Sequence, residues 1–545
     1  MFDGMPERNT VSWNALIAGY VESGNVARAL ELFLSMERQG FAPDEATFAA
    51  LLAAVDCSDY FLMRQLHGKT MKYGSTLGLT VSNAAITAYS QCGALAECRR
   101  IFDGIGNSRD LISWNAMLGA YTHRGMDYEA MGFFVRMMQE SELQLDMYSF
   151  TSIISVCPEH DDRLGRVIHG MVIKHGLEGV TPVCNALISM YTRFSENCMM
   201  EDAHRCFDSL VLKDTVSWNS MLTGYSQHSM SADALRFFTC MQSANIRTDE
   251  YAFSAALRSC ADLAALVLGR QIHGSVIHSG FASNSYVSSS LIFMYSKSGI
   301  LDDAKKSFEE ADKSSSVPWN SMLFGYAQHG QAQTVHSLFN EMVGLKVPLD
   351  HVTFVALITS CSHAGLVEEG SGILNAMETR YGVPLRMEHY ACGIDLYGRA
   401  GQIDKAKELI DSMPFEPDAM VWMTLLGACR IHGNMELASE VASHLLVAEP
   451  RQHSTYILLS SMYSGLEMWS DRAIVQRAMK NRGLSKVPGW SWIEVKNEVH
   501  SFNAEDRSHR RMYEIYEMLS LLFQVAKMSS SYEDEETITS ISSDP

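Results

Sequence analysis

Two polar side chains recur along this chain in a pattern that could do chemistry. Asparagines stand at Asn14, Asn83, Asn115, Asn185, Asn219 and Asn320, and aspartates follow them at Asp44, Asp110, Asp146, Asp214, Asp249 and Asp350. An asparagine amide carries a hydrogen-bond donor and an acceptor, whereas an ionised aspartate only accepts. Such a pair can recognise a polar edge but does not by itself break bonds. A structural reading stands beside it for the aspartates, because Asp immediately before a helix is a preferred N-cap worth ~0.5–2 kcal/mol. Motifs for bond-making chemistry are missing from the sequence: there is no P-loop, no G-x-S-x-G elbow and no H-E-x-x-H. His67, His169 and His273 recur in an L/I-H-G pattern, one per long period and on different units, which favours a packing or turn role over metal ligation.

The elements that must position these residues are repeats. VSWNALIAGY at Val11 returns as ISWNAMLGAY at Ile112, VSWNSMLTGY at Val216 and VPWNSMLFGY at Val317, so Trp13, Trp114, Trp218 and Trp319 are spaced by 101, 104 and 101 residues. Each long period divides into a tryptophan unit, a second unit opening EATF (Glu45), MYSF (Met147), EYAF (Glu250) or HVTF (His351), and a shorter one carrying SNAAITAY, CNALISMY, SSSLIFMY or YACGIDLY. Twelve units of roughly 31 to 36 residues thus fit between residues 10 and 418. Trp13, Leu16, Ile17 and Tyr20 fall at helical spacing, as do Val26, Ala29, Leu30, Phe33 and Met36 beyond Gly24. Gly40 is placed for a left-handed helix end, and Pro43 stops continuation. Each unit therefore reads as a helical hairpin, and the fold class as all-α, a right-handed superhelical solenoid of helix-turn-helix repeats.

Residues 1–9 read as the remnant of an interrupted repeat, with no transit peptide ahead of them. Residues 419–487 read as two divergent closing repeats, 488–527 as a C-terminal extension with an extended segment and then a helix, and 528–545 as an acidic disordered tail carrying Glu533 to Glu536. Within a first helix, Asn14 lies about 100° round from Trp13, on the flank of the apolar stripe, where packing has no need of it. Stacked hairpins line such side chains along one groove, one per unit, the arrangement by which helical repeats read one base each. The tryptophans themselves read as core.

Composition sets limits. With 47% hydrophobic and 19% charged residues the chain is of a folded type. Its 43 basic and 63 acidic residues give a net charge of −20, which argues against nonspecific binding to nucleic acid, although a locally basic groove can still bind RNA by stacking and base contacts. Twelve cysteines with no C-x-x-C pair read as buried thiols. No apolar run is long enough to span a membrane.

The triplet order, together with QIHGSVIHSGF (Gln271 to Phe281), LLGACRIHGNMEL (from Leu425) and KVPGWSWIEVKNEVHSF (from Lys486), resembles the plant pentatricopeptide repeat family, in its triplet-repeat branch with an extended C-terminal region. The resemblance implies single-stranded organellar RNA as partner, with selection of cytidines for conversion to uridine. It implies that the Asn and Asp positions together choose the base and prefer uridine, and that Val11, Ile112, Val216 and Val317 sandwich it. Chain order then gives the target 5′-U-N-U-U-N-U-U-N-N-U-N-N. Ala49, Thr151, Ser254, Val355 and Ala391 replace the asparagine and leave their positions unassigned, apart from an adenine preference suggested for Ser254 with Asn284. In the family a hydroxyl residue at the Asn position beside Asp goes with guanine. A zinc deaminase needs H-x-E and P-C-x-x-C, and neither motif is present. The expectation is a noncatalytic specificity factor with no cofactor and no metal site, which recruits a deaminase-bearing family member and other editing factors in trans. The expected location is the mitochondrion, or alternatively the chloroplast. The alternatives are a factor for organellar splicing, processing or stability, and a protein-binding helical scaffold.

Overall fold

A computed structural model describes residues 2, 7–55, 59–74, 78–140, 144–194, 199–449, 453–465, 467–484, 490–495, 498–503 and 511–522. The chain forms two compact units, 1–248 and 249–545.

The first hairpin shows how sequence becomes structure. Its helices, Thr10–Glu22 and Val26–Arg38, bury Trp13 and Ile17 on one and Ala29, Phe33 and Met36 on the other. Gly24 adopts φ 74° in the turn between them. The second helix ends on Gly40 at φ 82°, with the Gly40 N–H on the Glu37 carbonyl and the Phe41 N–H on that of Met36. This left-handed closure satisfies carbonyls that a helix end would otherwise leave open.

In unit 1–248 the first helices, Thr10–Glu22, Glu45–Ala53, Leu79–Gln91, Leu111–His123, Met147–Ser155, Thr181–Arg193 and Thr215–Gln227, each pack on the next. In unit 249–545 the row is Glu250–Asp262, Ser285–Lys297, Ser316–Gln328, His351–Ala364, Met387–Arg399, Ala419–His432 and His453–Gly465. A helical hairpin cannot bury its apolar face alone, so stacking supplies the core.

All four recurring tryptophans are buried. Each receives the edge of a phenylalanine from the segment ahead of it: Phe2 on Trp13 at 4.7 Å, Phe102 on Trp114 at 5.0 Å, Phe207 on Trp218 at 5.0 Å and Phe308 on Trp319 at 4.9 Å. Such pairs add about 0.5–1.5 kcal/mol beyond the area they bury. A cation closes each from outside: Arg8 over Phe2, Arg109 over Phe102, Lys213 over Phe207 and Lys313 over Phe308, at 4.3–5.1 Å from the ring centres.

Beyond residue 418, Ala419–His432 pairs with Met435–Ala448 and His453–Gly465 with Trp469–Asn481 around a core of Val421, Leu425, Leu426, Val441 and Leu445. Trp469–Asn481 buries no residue fully. The extended segment expected after residue 488 is an antiparallel hairpin, Trp490–Val495 with Glu498–Asn503, in the register Ile493 opposite His500. A helix follows at 512–522, and the acidic tail with Glu533 to Glu536 lies outside the described residues. Among the described residues no helix is long and apolar enough to cross a membrane.

Candidate functional site

The aspartates sit where the capping reading puts them. Asp44, Asp110, Asp146, Asp214, Asp249 and Asp350 are the N-caps of first helices, and in each the side-chain oxygen Oδ1 accepts the N–H of the third helical residue at 2.8–3.0 Å. That geometry does not compete with pairing. The same Oδ1 accepts the amide Nδ2–H of the asparagine from the preceding first helix: Asn14 to Asp44 at 2.7 Å, Asn83 to Asp110 at 3.1 Å, Asn115 to Asp146 at 3.0 Å, Asn185 to Asp214 at 3.1 Å and Asn320 to Asp350 at 2.9 Å. Asn219 belongs to unit 1–248 and Asp249 to unit 249–545. Asn219 lies half-buried on Thr215–Gln227.

A third side chain completes each network. The hydroxyl of the third helical residue donates to the asparagine Oδ1: Thr47 to Asn14 at 2.5 Å, Ser113 to Asn83 at 2.7 Å, Ser149 to Asn115 at 2.7 Å, Ser217 to Asn185 at 2.8 Å and Thr353 to Asn320 at 2.8 Å. These hydroxyl residues were not singled out from the sequence. Their signal was present, because in every case the Ser or Thr immediately precedes a buried aromatic, as in Ser113-Trp114 and Thr353-Phe354.

The asparagines are therefore not idle in packing, contrary to the expectation from their flank position. Asn83 and Asn320 are buried and Asn14, Asn115 and Asn185 half-buried, and each ties its unit to the next. The flank position fixes the angle about the helix, but a neighbouring helix can still cover it. Electrostatics follow from the same bonds. Burial works to raise the carboxyls of Asp44, Asp110, Asp214 and Asp350, but it is outweighed by the N–H and hydroxyl of the third helical residue and the asparagine amide, and at Asp350 first by the Ser316 hydroxyl, which hold these carboxyls below the usual range. They are ionised at neutral pH. At Asp44, Asp110 and Asp146 the second oxygen, Oδ2, has no hydrogen-bond partner among the described residues.

Each asparagine amide has one N–H and one oxygen lone pair left over from these bonds, at half-buried positions for Asn14, Asn115 and Asn185 and at buried ones for Asn83 and Asn320. Beside it stands the second residue of the first helix. Val11, Ile112 and Val216 are exposed there by more than half, and Val317 is half-buried. Tyr148, Tyr251 and Tyr286 occupy the same helical position with 61–63% exposure. Counting from the capping residue would have found these tyrosines. An apolar or aromatic face next to a mixed donor and acceptor is a site for a flat polar ring.

The remaining positions differ. Asn284 caps Ser285–Lys297 by accepting the N–H groups of Tyr286 and Val287, and no hydrogen bond joins it to Ser254. The pair suggested for adenine is not linked in the way of the Asn and Asp pairs. His67, His169 and His273 each meet a tyrosine hydroxyl of the following short unit, Tyr89, Tyr191 and Tyr295, at 2.7–2.9 Å. Burial pushes all three imidazoles below their usual pKa, so they are neutral packing groups. One cluster of possible metal ligands was missed, His336, Cys361 and Glu369, with the His336 Nε2 3.7 Å from sulfur and 3.4 Å from the carboxylate. Cys260 and Cys429 take the same place as Cys361 in their helices, and Cys157, just beyond Met147–Ser155, is buried as they are. The thiol therefore reads as a core residue.

Segments of the chain match known families. Residues 8–55, 213–262 and 314–363 match the PPR repeat family, residues 112–141, 352–381 and 394–416 the PPR repeat, and residues 432–494 the E motif. A putative pentatricopeptide repeat-containing protein of Arabidopsis thaliana is 49% identical over 96% of this chain and 75% of its own length. A second Arabidopsis pentatricopeptide repeat-containing protein, named mitochondrial, is 35% identical over 97% of this chain and 60% of its own. A third, named chloroplastic, is 34% identical over 100% and 67%. Among solved structures, the pentatricopeptide repeat protein PPR10 from maize aligns with a TM-score of 0.52 at 18% identity, covering 86% of this chain and 70% of that one, a likeness of fold.

Proposed function

Because the chain belongs to the pentatricopeptide repeat family, in its triplet-repeat branch with an E motif, we propose that it binds single-stranded organellar RNA in a sequence-specific way and marks a site for cytidine-to-uridine editing without catalysing the reaction. One observation carries the reading: five asparagine amides are each held by an aspartate and a hydroxyl of the next unit, bonds that use one N–H and one lone pair of the amide and leave the other of each for a base. Uracil presents a mixed edge, an N–H flanked by carbonyl oxygens, and so complements that amide. Val11, Ile112, Val216 and Val317 with Tyr148, Tyr251 and Tyr286 form the faces between which bases lie. By the family resemblance Asn219 and Asp249 are each assigned to base reading as well, which keeps the target 5′-U-N-U-U-N-U-U-N-N-U-N-N. The E motif at 432–494 and the helix at 512–522 are assigned to recruiting a deaminase-bearing partner in trans. The mitochondrion is proposed as the site of action, and the plastid is the alternative.

Sequencing organellar transcripts with and without the gene tests this reading. It expects the loss of one or a few cytidine-to-uridine events downstream of a matching site. Altered splicing or transcript ends with editing intact would assign the chain to RNA processing or stability instead. A purified chain that fails to bind an RNA carrying the pattern would leave the scaffold reading.

A further inference from the structure

Asparagine and aspartate are two members of a three-residue network, and the third sets how well the amide can discriminate. We propose that the buried hydroxyls of Thr47, Ser113, Ser149, Ser217 and Thr353 are specificity-positioning residues, which lock the amide of the preceding unit so that it distinguishes uracil from cytosine. The proposal rests on the base-reading assignment above.

All five side chains are fully buried, so their hydroxyls cannot turn to water and must find partners within the protein. Each lies between two acceptors, the aspartate Oδ1 and the asparagine Oδ1. A hydroxyl has a single proton. The aspartate oxygen already receives a backbone N–H and the amide N–H, whereas the hydroxyl is the protein donor to the asparagine oxygen. The proton is therefore needed most at the asparagine.

A capping box would also place Ser or Thr at the third helical position. That explanation covers Thr47, Ser113 and Thr353, where the hydroxyl also accepts the N–H of the capping aspartate. It does not cover Ser149 and Ser217, whose helices show no reciprocal bond although the hydroxyl reaches Asn115 and Asn185 at 2.7 and 2.8 Å. The reciprocal capping bond is thus kept in three networks, whereas the contacts to the asparagine and aspartate oxygens are kept in all five.

The physical consequence concerns rotation of the amide. The carboxylate alone holds only Nδ2, and the amide can swing about that single bond. With Oδ1 fixed as well, the remaining N–H and lone pair have set directions. Uracil and cytosine differ by exchanging donor and acceptor on the pairing edge, so discrimination between them depends on those directions. A swinging amide can meet either base.

Binding by the full chain to RNA carrying the target pattern, with U or C at its fourth position, tests the proposal. Ser149→Ala is expected to lower the preference for U over C there about fivefold, the worth of one ordinary hydrogen bond, while the preference at the first position, served by Asn14, is retained. Ser149→Thr is expected to keep the parent preference, since Thr47 and Thr353 already fill this place. In an Asn115→Ala background, Ser149→Ala should have no further effect on base choice. If Ser149→Ala lowers the melting temperature, or weakens every RNA alike, with the preference intact, the hydroxyl is a helix cap only and the proposal falls, while base reading stands. Absence of any U preference at that position in the parent chain would defeat base reading and the proposal with it. Thr47→Ala, read at the first position, repeats the test at an independent site.

Discussion

Successive units are joined in two different ways. Where Leu111–His123 meets Met147–Ser155, the joint is a closed polar network of Asn115, Asp146 and Ser149. Where Met147–Ser155 meets Thr181–Arg193, Thr151 holds the asparagine position and Val180 the capping one, so those two places carry neither an amide nor a carboxylate. Met147–Ser155 and Thr181–Arg193 pack directly there, with Arg193 donating to the carbonyls of Ser155 and Ile154, and beside them His169 of the helix Asp162–Lys174 bonds Tyr191 at 2.7 Å. Gly165 lies so close to the next unit that a Cβ there would stand 2.7 Å from the Phe194 ring. A cavity of about 420 Å³ remains, lined by His169, Tyr191, Cys184 and Cys206. At the equivalent joint near the start of the chain, His67 bonds Tyr89 beside a cavity of about 700 Å³. Polar networks in a low dielectric fix direction as well as distance, and they occur where the proposed target names a base. Joints without such a network coincide with positions the target leaves open.

Trp114 sets the scale on which this comparison can be broken. Trp114→Ala removes a buried ring that packs on Phe102 and Phe133, and it should cost about 3–5 kcal/mol in chemical denaturation. Next in size is Asp146→Ala, which loses a cap and strands the Asn115 amide. About 2–3 kcal/mol is expected, whereas Val180→Ala at the matching place of the other joint should cost less than about 1 kcal/mol. Equal losses at the two positions would erase the distinction.

Acid should separate the joints in order. His67, His169 and His273 have folded pKa values lowered by burial from 6.5, so the unfolded chain takes the proton first and stability falls as pH drops below about 6.5. The carboxyls of Asp44, Asp110, Asp214 and Asp350 are lowered from 3.8, and their contribution is lost only as pH falls below that value through the folded pKa. Amide hydrogen exchange against pH should show the histidine joints loosening first, and simultaneous loosening would contradict this order.

Smaller effects sharpen the contrast. Asn115→Thr introduces a hydroxyl but loses both amide bonds, so it should destabilise by about 1 kcal/mol and move the base preference at the fourth position from U toward G in competition binding. Retained U preference would remove Asn115 from the reading set. His169→Phe should change overall stability least, and it should abolish the step near pH 6.5 at its own joint while leaving base choice as in the parent.

Much of this was legible in the sequence because helical phase is encoded in spacing. The recurrence of Trp13, Trp114, Trp218 and Trp319 marked the buried stripe, Gly24 and Gly40 marked the turns, and the 100° offset of Asn14 marked a flank. The opposition between capping and pairing at the aspartates was not resolvable there, and the structure dissolves it: one oxygen of Asp146 takes both the Ser149 N–H and the Asn115 amide. Ser149 and Tyr148 went unread because their significance depends on what stands across from them.

The sequence by itself determined the repeat, the hairpin and the angular place of each side chain, since those follow from periodicity within a single helix. Tertiary structure alone decided which partners meet. Asn115, Asp146 and Ser149 are separated by 31 and 34 residues along the chain, and only the axial offset between stacked units brings the aspartate and the hydroxyl onto opposite ends of the same amide. That offset is set by the packing of the tryptophan and phenylalanine rings beneath, a property of shape that spacing does not carry.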